Sequence, residues 1–271
     1  MTPAPAPDQE ADPREPTPIT TALPFLNQDN NAPPPTSTAP TPPNLHTPKP
    51  LLRLECRDLS HPGASLFLQH HHPTIVLTQA LSSVLDILYR HPDSPPIPPT
   101  RSVTLVLRAL DGVAYTTSLD LDADHKEIHL NTSYIASIPS LSVKNEIQGV
   151  VTHEVVHCFQ YNGHGTAPGG LIEGIADYVR LKAGLAPAHW KRTAEGTWDQ
   201  GYERTAWFLV WLEERYGRGF VRGVNERLRT CRYEEVGFWE KCCGRTVRIE
   251  ELWREYGVWL GKCERGWGVS G

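Results

Sequence analysis

The sequence predicts an α+β domain in which a small, hairpin-rich sheet packs on a helical C-terminal half. Residues 101–131 hold runs of β-branched residues broken by short polar turns. From Ser137 onward the apolar period becomes that of helices, and no convincing strand follows. Strands first and helices afterwards, rather than in alternation, point to segregated layers.

Taken in order, the chain begins with a tail. Fifteen of the 25 prolines precede Leu51, and Phe25 is the only aromatic residue before it. Such a stretch buries too little apolar surface to offset its ordering entropy. Residues 1–50 are therefore expected to be a disordered Pro/Thr-rich tail, and residues 51–265 the folded domain. From Pro73 to Arg90, Ile75, Leu77, Leu81, Leu85 and Leu88 recur at helical spacing behind a proline suited to a first turn. Prolines from Pro92 to Pro99 end this helix. "RSVTLVLRAL" and "GVAYTTSLDL" flank Asp111-Gly112, a hairpin turn pair, and "EIHLN", Glu127 to Asn131, reads as a third strand. A helix is expected from Val143 to Asn162, with Ser142 as N-cap and Gly163 just past its end. "GGLIEGIADYVRLKAG" is a second helix, closed by Gly184. "WDQGYERTAWFLVWLEERYG" is a third, opening at Trp198 and Tyr202, and "TVRIEELWREYGVWLGKCE" is the last.

Composition removes several function classes. The formal net charge is −5 and Lys and Arg are scattered, so nucleic acid is not an expected partner. Apolar runs such as "FLVWL", Phe208 to Leu212, fall far short of a membrane span. The start, "MTPAPAPDQEADPREP", has neither the basic nor the apolar region of a secretory signal, which makes a cytoplasmic location the default expectation. Six cysteines without C-x-x-C spacing then favour reduced thiols.

The chemistry concentrates in "VVTHEVVHCFQYNGHGTAPGGLIEGIADYVRL", Val151 to Leu181. On a helix, His153 and His157 stand one turn apart on one face and can grip a single ion, with Glu154 about 100° round from His153. In this arrangement two histidines bind zinc and the glutamate takes a proton from the water that the metal activates. A catalytic zinc needs a third protein ligand. Glu173 on the following helix can supply it, and Asp177, one turn later, can accept an imidazole N–H and fix the tautomer. The bland alternative makes the histidines solvated helix-face residues. It fits poorly, because "GVVTHEVVHCFQ" is apolar around its polar residues and those need partners.

The segments "HEVVHCFQYNG", "GGLIEGIADYVRLKAG", "AHW" and "WDQGYERTAWFLVWL" resemble the plant basic secretory protein family, a peptidase family with plant, fungal and bacterial members. The upstream "GVAYTTSLDLDADHKEIHLNTSYIA" is similar to the same family, and the likeness spans about Leu52 to Leu260. The resemblance implies a zincin-like domain whose H-E-x-x-H falls on His153, Glu154 and His157. It also likens Glu173 and Asp177 to the E-x-x-x-D of the broader glutamate-zincin peptidases. Typical plant members are secreted and basic, whereas this chain is slightly acidic.

The leading expectation is a zinc-dependent peptidase with Glu154 as general base and a peptide or protein as substrate. A catalytically silent, zinc-stabilised binding module and a hydrolase of non-peptide amides or esters are the alternatives. Tyr202 is a candidate oxyanion donor, with His164 and His189 as alternatives, and for Tyr202 plain packing is equally open. "EIHLN" is a candidate edge for an extended substrate. His70, His71 and His72 could bind metal adventitiously, Cys158 reads as a buried small apolar residue, and Cys242-Cys243 lack nearby ligands.

Overall fold

Alternation of apolar and charged residues shapes the first strand, β1 (Leu51–Cys56), whose Leu52, Leu54 and Cys56 turn toward the core while Leu51 and Glu55 face outward. The computed structural model describes residues 49–90 and 96–266. The tail expected over residues 1–50 lies outside them except for Lys49 and Pro50, as do residues 92–95 of the proline cluster.

After β1 come α1 (Pro62–His70), α2 (Pro73–Leu88), β2 (Ser102–Arg108), β3 (Ala114–Leu119) and β4 (Asp122–Asn131). The helices α3 (Thr132–Ser137), α4 (Val143–Phe159), α5 (Gly169–Lys182), α6 (Tyr202–Tyr216), α7 (Phe220–Thr230), α8 (Glu235–Cys243) and α9 (Ile249–Gly266) follow. The fold is α+β, as the order of strands and helices predicts.

The sheet differs from the expected one. Its strand order is β1-β2-β4-β3, with β2 parallel to both β1 and β4, and β3 antiparallel to β4. Asp111-Gly112 therefore does not close a hairpin, because β4 lies between the two strands that this turn separates. The Asn131 side-chain amide, at the end of β4, donates to Leu110 O at 2.9 Å and Gly112 O at 2.7 Å and holds the connecting loop across the sheet. The hairpin that does form joins β3 to β4, with a register shift at Ser118/Leu119. Register places Leu54, Leu105, Ile128 and Thr116 in one row across all four strands. Strand side chains alternate between faces, so Thr116 stands on the face that carries the core leucines.

Among the helices, α4 is central. Twelve of its 17 residues are buried, which fits a helix enclosed on all sides rather than an amphipathic surface helix. It packs against α2, α5 and strands β3 and β4. The helix ends at Phe159, short of the expected Asn162, because Gln160 is extended and the Tyr161 N–H turns to Asn225 Oδ1 at 3.0 Å. The Thr100 hydroxyl donates to Cys158 O at 2.8 Å and the Tyr89 hydroxyl to Phe159 O, so carbonyls of the last turn are satisfied by side chains. Ser142 occupies the N-cap position, but its side chain makes no cap.

One helix face and one further boundary also differ. In α2 the buried face is Val76, Leu77, Ala80, Val84, Leu85 and Leu88, while Ile75 is exposed. The third helix starts at Tyr202 rather than Trp198, which is buried in the preceding loop. Among the described residues, no helix is long and apolar enough to cross a membrane.

Candidate metal centre and cleft

Helical spacing on α4 brings the His153 and His157 rings within 4.9 Å of one another, edge to face. Their Nε2 atoms are 3.2 Å apart. From α5, Glu173 Oε2 comes within 3.1 Å of His153 Nε2 and 3.7 Å of His157 Nε2. These three side chains form a group that could hold a metal ion. Ligands about 2.0–2.1 Å from a tetrahedral zinc stand about 3.3 Å apart, close to the separations found here.

The protonation of the site also fits a cation. Asp177 is buried, and its Oδ1 lies 2.6 Å from His153 Nδ1, which fixes Nδ1–H as the donor and turns Nε2 toward Glu173. Burial opposes a charged ring, yet the hydrogen bonds to Asp177 and Glu173 together push the His153 pKa up to about 9. Burial acts to raise the Glu173 pKa, but its contacts with His153 and His157 outweigh this and hold the carboxyl well below the usual range. The carboxylates around His153 thus favour positive charge between these ligand atoms, the condition a metal ion would meet. On the far side of His157, the Gln160 amide nitrogen lies 3.2 Å from Nδ1. The same nitrogen donates to Ile172 O at 3.3 Å, which ties the side chain to α5.

Glu154 points toward the sheet. It is 6% exposed, and the Thr116 hydroxyl lies 2.6 Å from its Oε2 and 3.0 Å from its backbone oxygen. The hydroxyl has one proton to give, and the shorter contact is the one to the carboxylate. Oε1 has no hydrogen bond among the described residues. All these groups line a cleft of about 840 Å³ between the β3 edge and helices α4, α5 and α6.

Residues 49–256 match the family model described as "peptidase of plants and bacteria", BSP. The chain belongs to this family. Every cleft residue named here falls inside the BSP match. No curated protein and no solved structure matches the chain.

The cleft sorts the other candidates from the sequence. Tyr202 lines it, with its ring stacked on His153 at 6.3 Å and its backbone in the left-handed region at φ 49°. The charge of Glu173 raises its hydroxyl pKa, with burial adding to it. His164 and His189 do not line the cleft, and neither do His70, His71 and His72, which form the junction of α1 and α2. Cys158 is buried, with its thiol pKa pushed far up by burial. "EIHLN" belongs to β4, an interior strand, so it offers no free edge. Facing the cleft is the edge strand β3, with Gly112 to Thr116 in the lining. Absent from the sequence reading were Thr116, Glu146, Arg180 and Trp190, all of which line the cleft. For Thr116 the signal was its place in the β3 alternation. Arg180 and Trp190 lie in segments that carry the family resemblance, but no local pattern gives them, or Glu146, a role.

Proposed function

We propose that this BSP-family chain is a zinc-dependent peptidase in which Glu154 acts as general base. The observation that carries this reading is the convergence of His153 Nε2, His157 Nε2 and Glu173 Oε2 in a cleft shared with the Glu154 carboxylate. These three atoms would hold the ion, and when bound it supplies Lewis acidity, polarising a carbonyl and lowering the pKa of a water. Asp177 does no bond making. It keeps the His153 proton on Nδ1.

Thr116 holds Oε2 of Glu154, which leaves Oε1 to accept a proton from the attacking water and later return it to the leaving amine. Tyr202, whose ring stacks on His153, would donate its hydroxyl to the carbonyl oxygen as negative charge develops there. The outer edge of β3 offers free backbone groups along which an extended peptide can align as an added strand.

The deciding experiment is Glu154→Gln, which keeps size and polarity but cannot take the proton. This variant should bind as much zinc as the parent and lose hydrolysis by roughly 10²–10⁴-fold. Parent-like hydrolysis by the variant would rule out Glu154 as base. A parent that binds zinc yet cleaves nothing in a mixed peptide library would put a silent binding module in place of the peptidase.

A further inference from the structure

The cleft extends toward the N-terminus of α4, where Val150 and Glu146 stand one and two turns before His153, and meets Arg180, which follows Asp177 on α5. Arg180 is only 6% exposed, yet it lines the cleft. Its Nε donates to Leu185 O at 3.1 Å and its Nη2 to Glu146 Oε2 at 2.9 Å. Nη1 makes no hydrogen bond among the described residues. The guanidinium sits where Gly149 leaves room, since a Cβ there would come within 2.5 Å of Nε. The Trp190 ring lies over it at 5.1 Å.

Glu146 is occupied on both oxygens, because the Tyr134 hydroxyl donates to its Oε1 at 2.8 Å while Arg180 takes Oε2. The ion pair is therefore neutral as a unit. To a ligand the recess presents a hydrogen-bond donor beside a flat aromatic wall, rather than a net charge.

We infer that Arg180 and Trp190 form a subsite selecting a carboxamide side chain, glutamine or asparagine, next to the scissile bond, an inference that rests on the peptidase reading above. The carboxamide oxygen accepts from Nη1 while its plane lies against Trp190. The Tyr134 oxygen keeps a lone pair for the amide N–H. A carboxylate would instead bring an uncompensated negative charge beside Glu146 and Glu154, against a guanidinium that is already paired. An aliphatic side chain would leave Nη1 stripped of water and without an acceptor.

The test is calorimetric binding to the full zinc-loaded chain carrying Glu154→Gln. The probes are hexapeptides alike except for one residue beside the central bond, Gln, Glu, Leu or Lys, placed on either side. In one placement the Gln peptide should bind about tenfold more tightly than the Leu and Glu peptides, the scale of a hydrogen bond to a charged donor. Adding Arg180→Lys keeps a cation for Glu146 but offers no second nitrogen, and should bring the Gln peptide to the level of the Leu peptide. Should that variant misfold, Glu146→Gln with Arg180→Met removes both charges of the pair and reads the same loss. Equal affinities across the set, no binding by any peptide, a Glu or Lys preference, or a Gln preference that survives loss of the guanidinium would each overturn the subsite. Failure of the parent to cleave a Gln peptide that its Glu154→Gln variant binds would overturn the peptidase reading, while the recess would stand as a carboxamide-binding site without a scissile bond beside it.

Discussion

Thr116 and Asp177 each hold one partner in the site, and their effects should separate cleanly. Thr116 touches the proposed base and none of the metal-binding group, so Thr116→Val should lower kcat about tenfold, the scale of one charge-assisted hydrogen bond, with KM and zinc content unchanged. Thr116→Ser, which restores the hydroxyl, should recover most of the rate. Asp177→Asn should do the reverse, weakening zinc binding by about 10- to 100-fold because a neutral amide oxygen draws the His153 proton onto Nδ1 less strongly than a carboxylate. Competition with a metal-binding dye measures the second effect and steady-state kinetics the first.

The seam between α5 and α6 depends on missing side chains. A Cβ on Gly174 would lie 2.3 Å from Cγ2 of Thr205, a fully buried residue whose hydroxyl bonds Trp198 O at 2.7 Å. Alanine favours a helix over glycine by about 1 kcal/mol, but overpacking a tight core costs about 1–3 kcal/mol or more. Gly174→Ala should therefore destabilise the protein on balance in urea titrations, and reduce zinc affinity as well, since Glu173 is its neighbour. This seam also shows what a sequence can reveal. The pairs His153/His157 and Glu173/Asp177 are legible because each is one helical turn, a local relation. The seat of Thr116 under Glu154 depends on β3 lying beside β4, and the hairpin reading of Asp111-Gly112 failed for the same non-local reason. The Arg180–Glu146 pair joins two helices, and nothing near either residue announces it. Of the elements not foreseen, β1, α1, α3 and α8 are short and leave little room for a period to declare itself, whereas α7 carries Phe220, Val221, Val224 and Leu228 at helical spacing and was legible but passed over.

In the molecule as a whole, the proposed metal ligands come from two core helices, so removing a bound ion should be felt globally. At zinc concentrations about 100-fold above Kd, binding contributes about 2.7 kcal/mol, so chelation should lower Tm by about 5–10 °C. Native mass spectrometry should find one ion per chain before chelation. A chain starting at Lys49, where the family match begins and just ahead of β1, should unfold at the same temperature as the full chain and carry the same zinc, given how little residues 1–48 have to bury. A lower Tm for the shortened chain would show that those residues contribute to the fold. The open side of β3 has one more consequence, for behaviour in concentrated solution. Among the described residues no strand pairs with that side, and an edge able to receive a peptide is equally able to receive the same strand of another copy, the usual first step of edge-to-edge aggregation. Here β3 is six residues long and its ladder is interrupted at Ser118/Leu119, so such a pairing gains few hydrogen bonds before it runs out. A substitution that straightened the irregularity would lengthen the sticky edge, and the colloidal stability of the protein would fall with its fold intact.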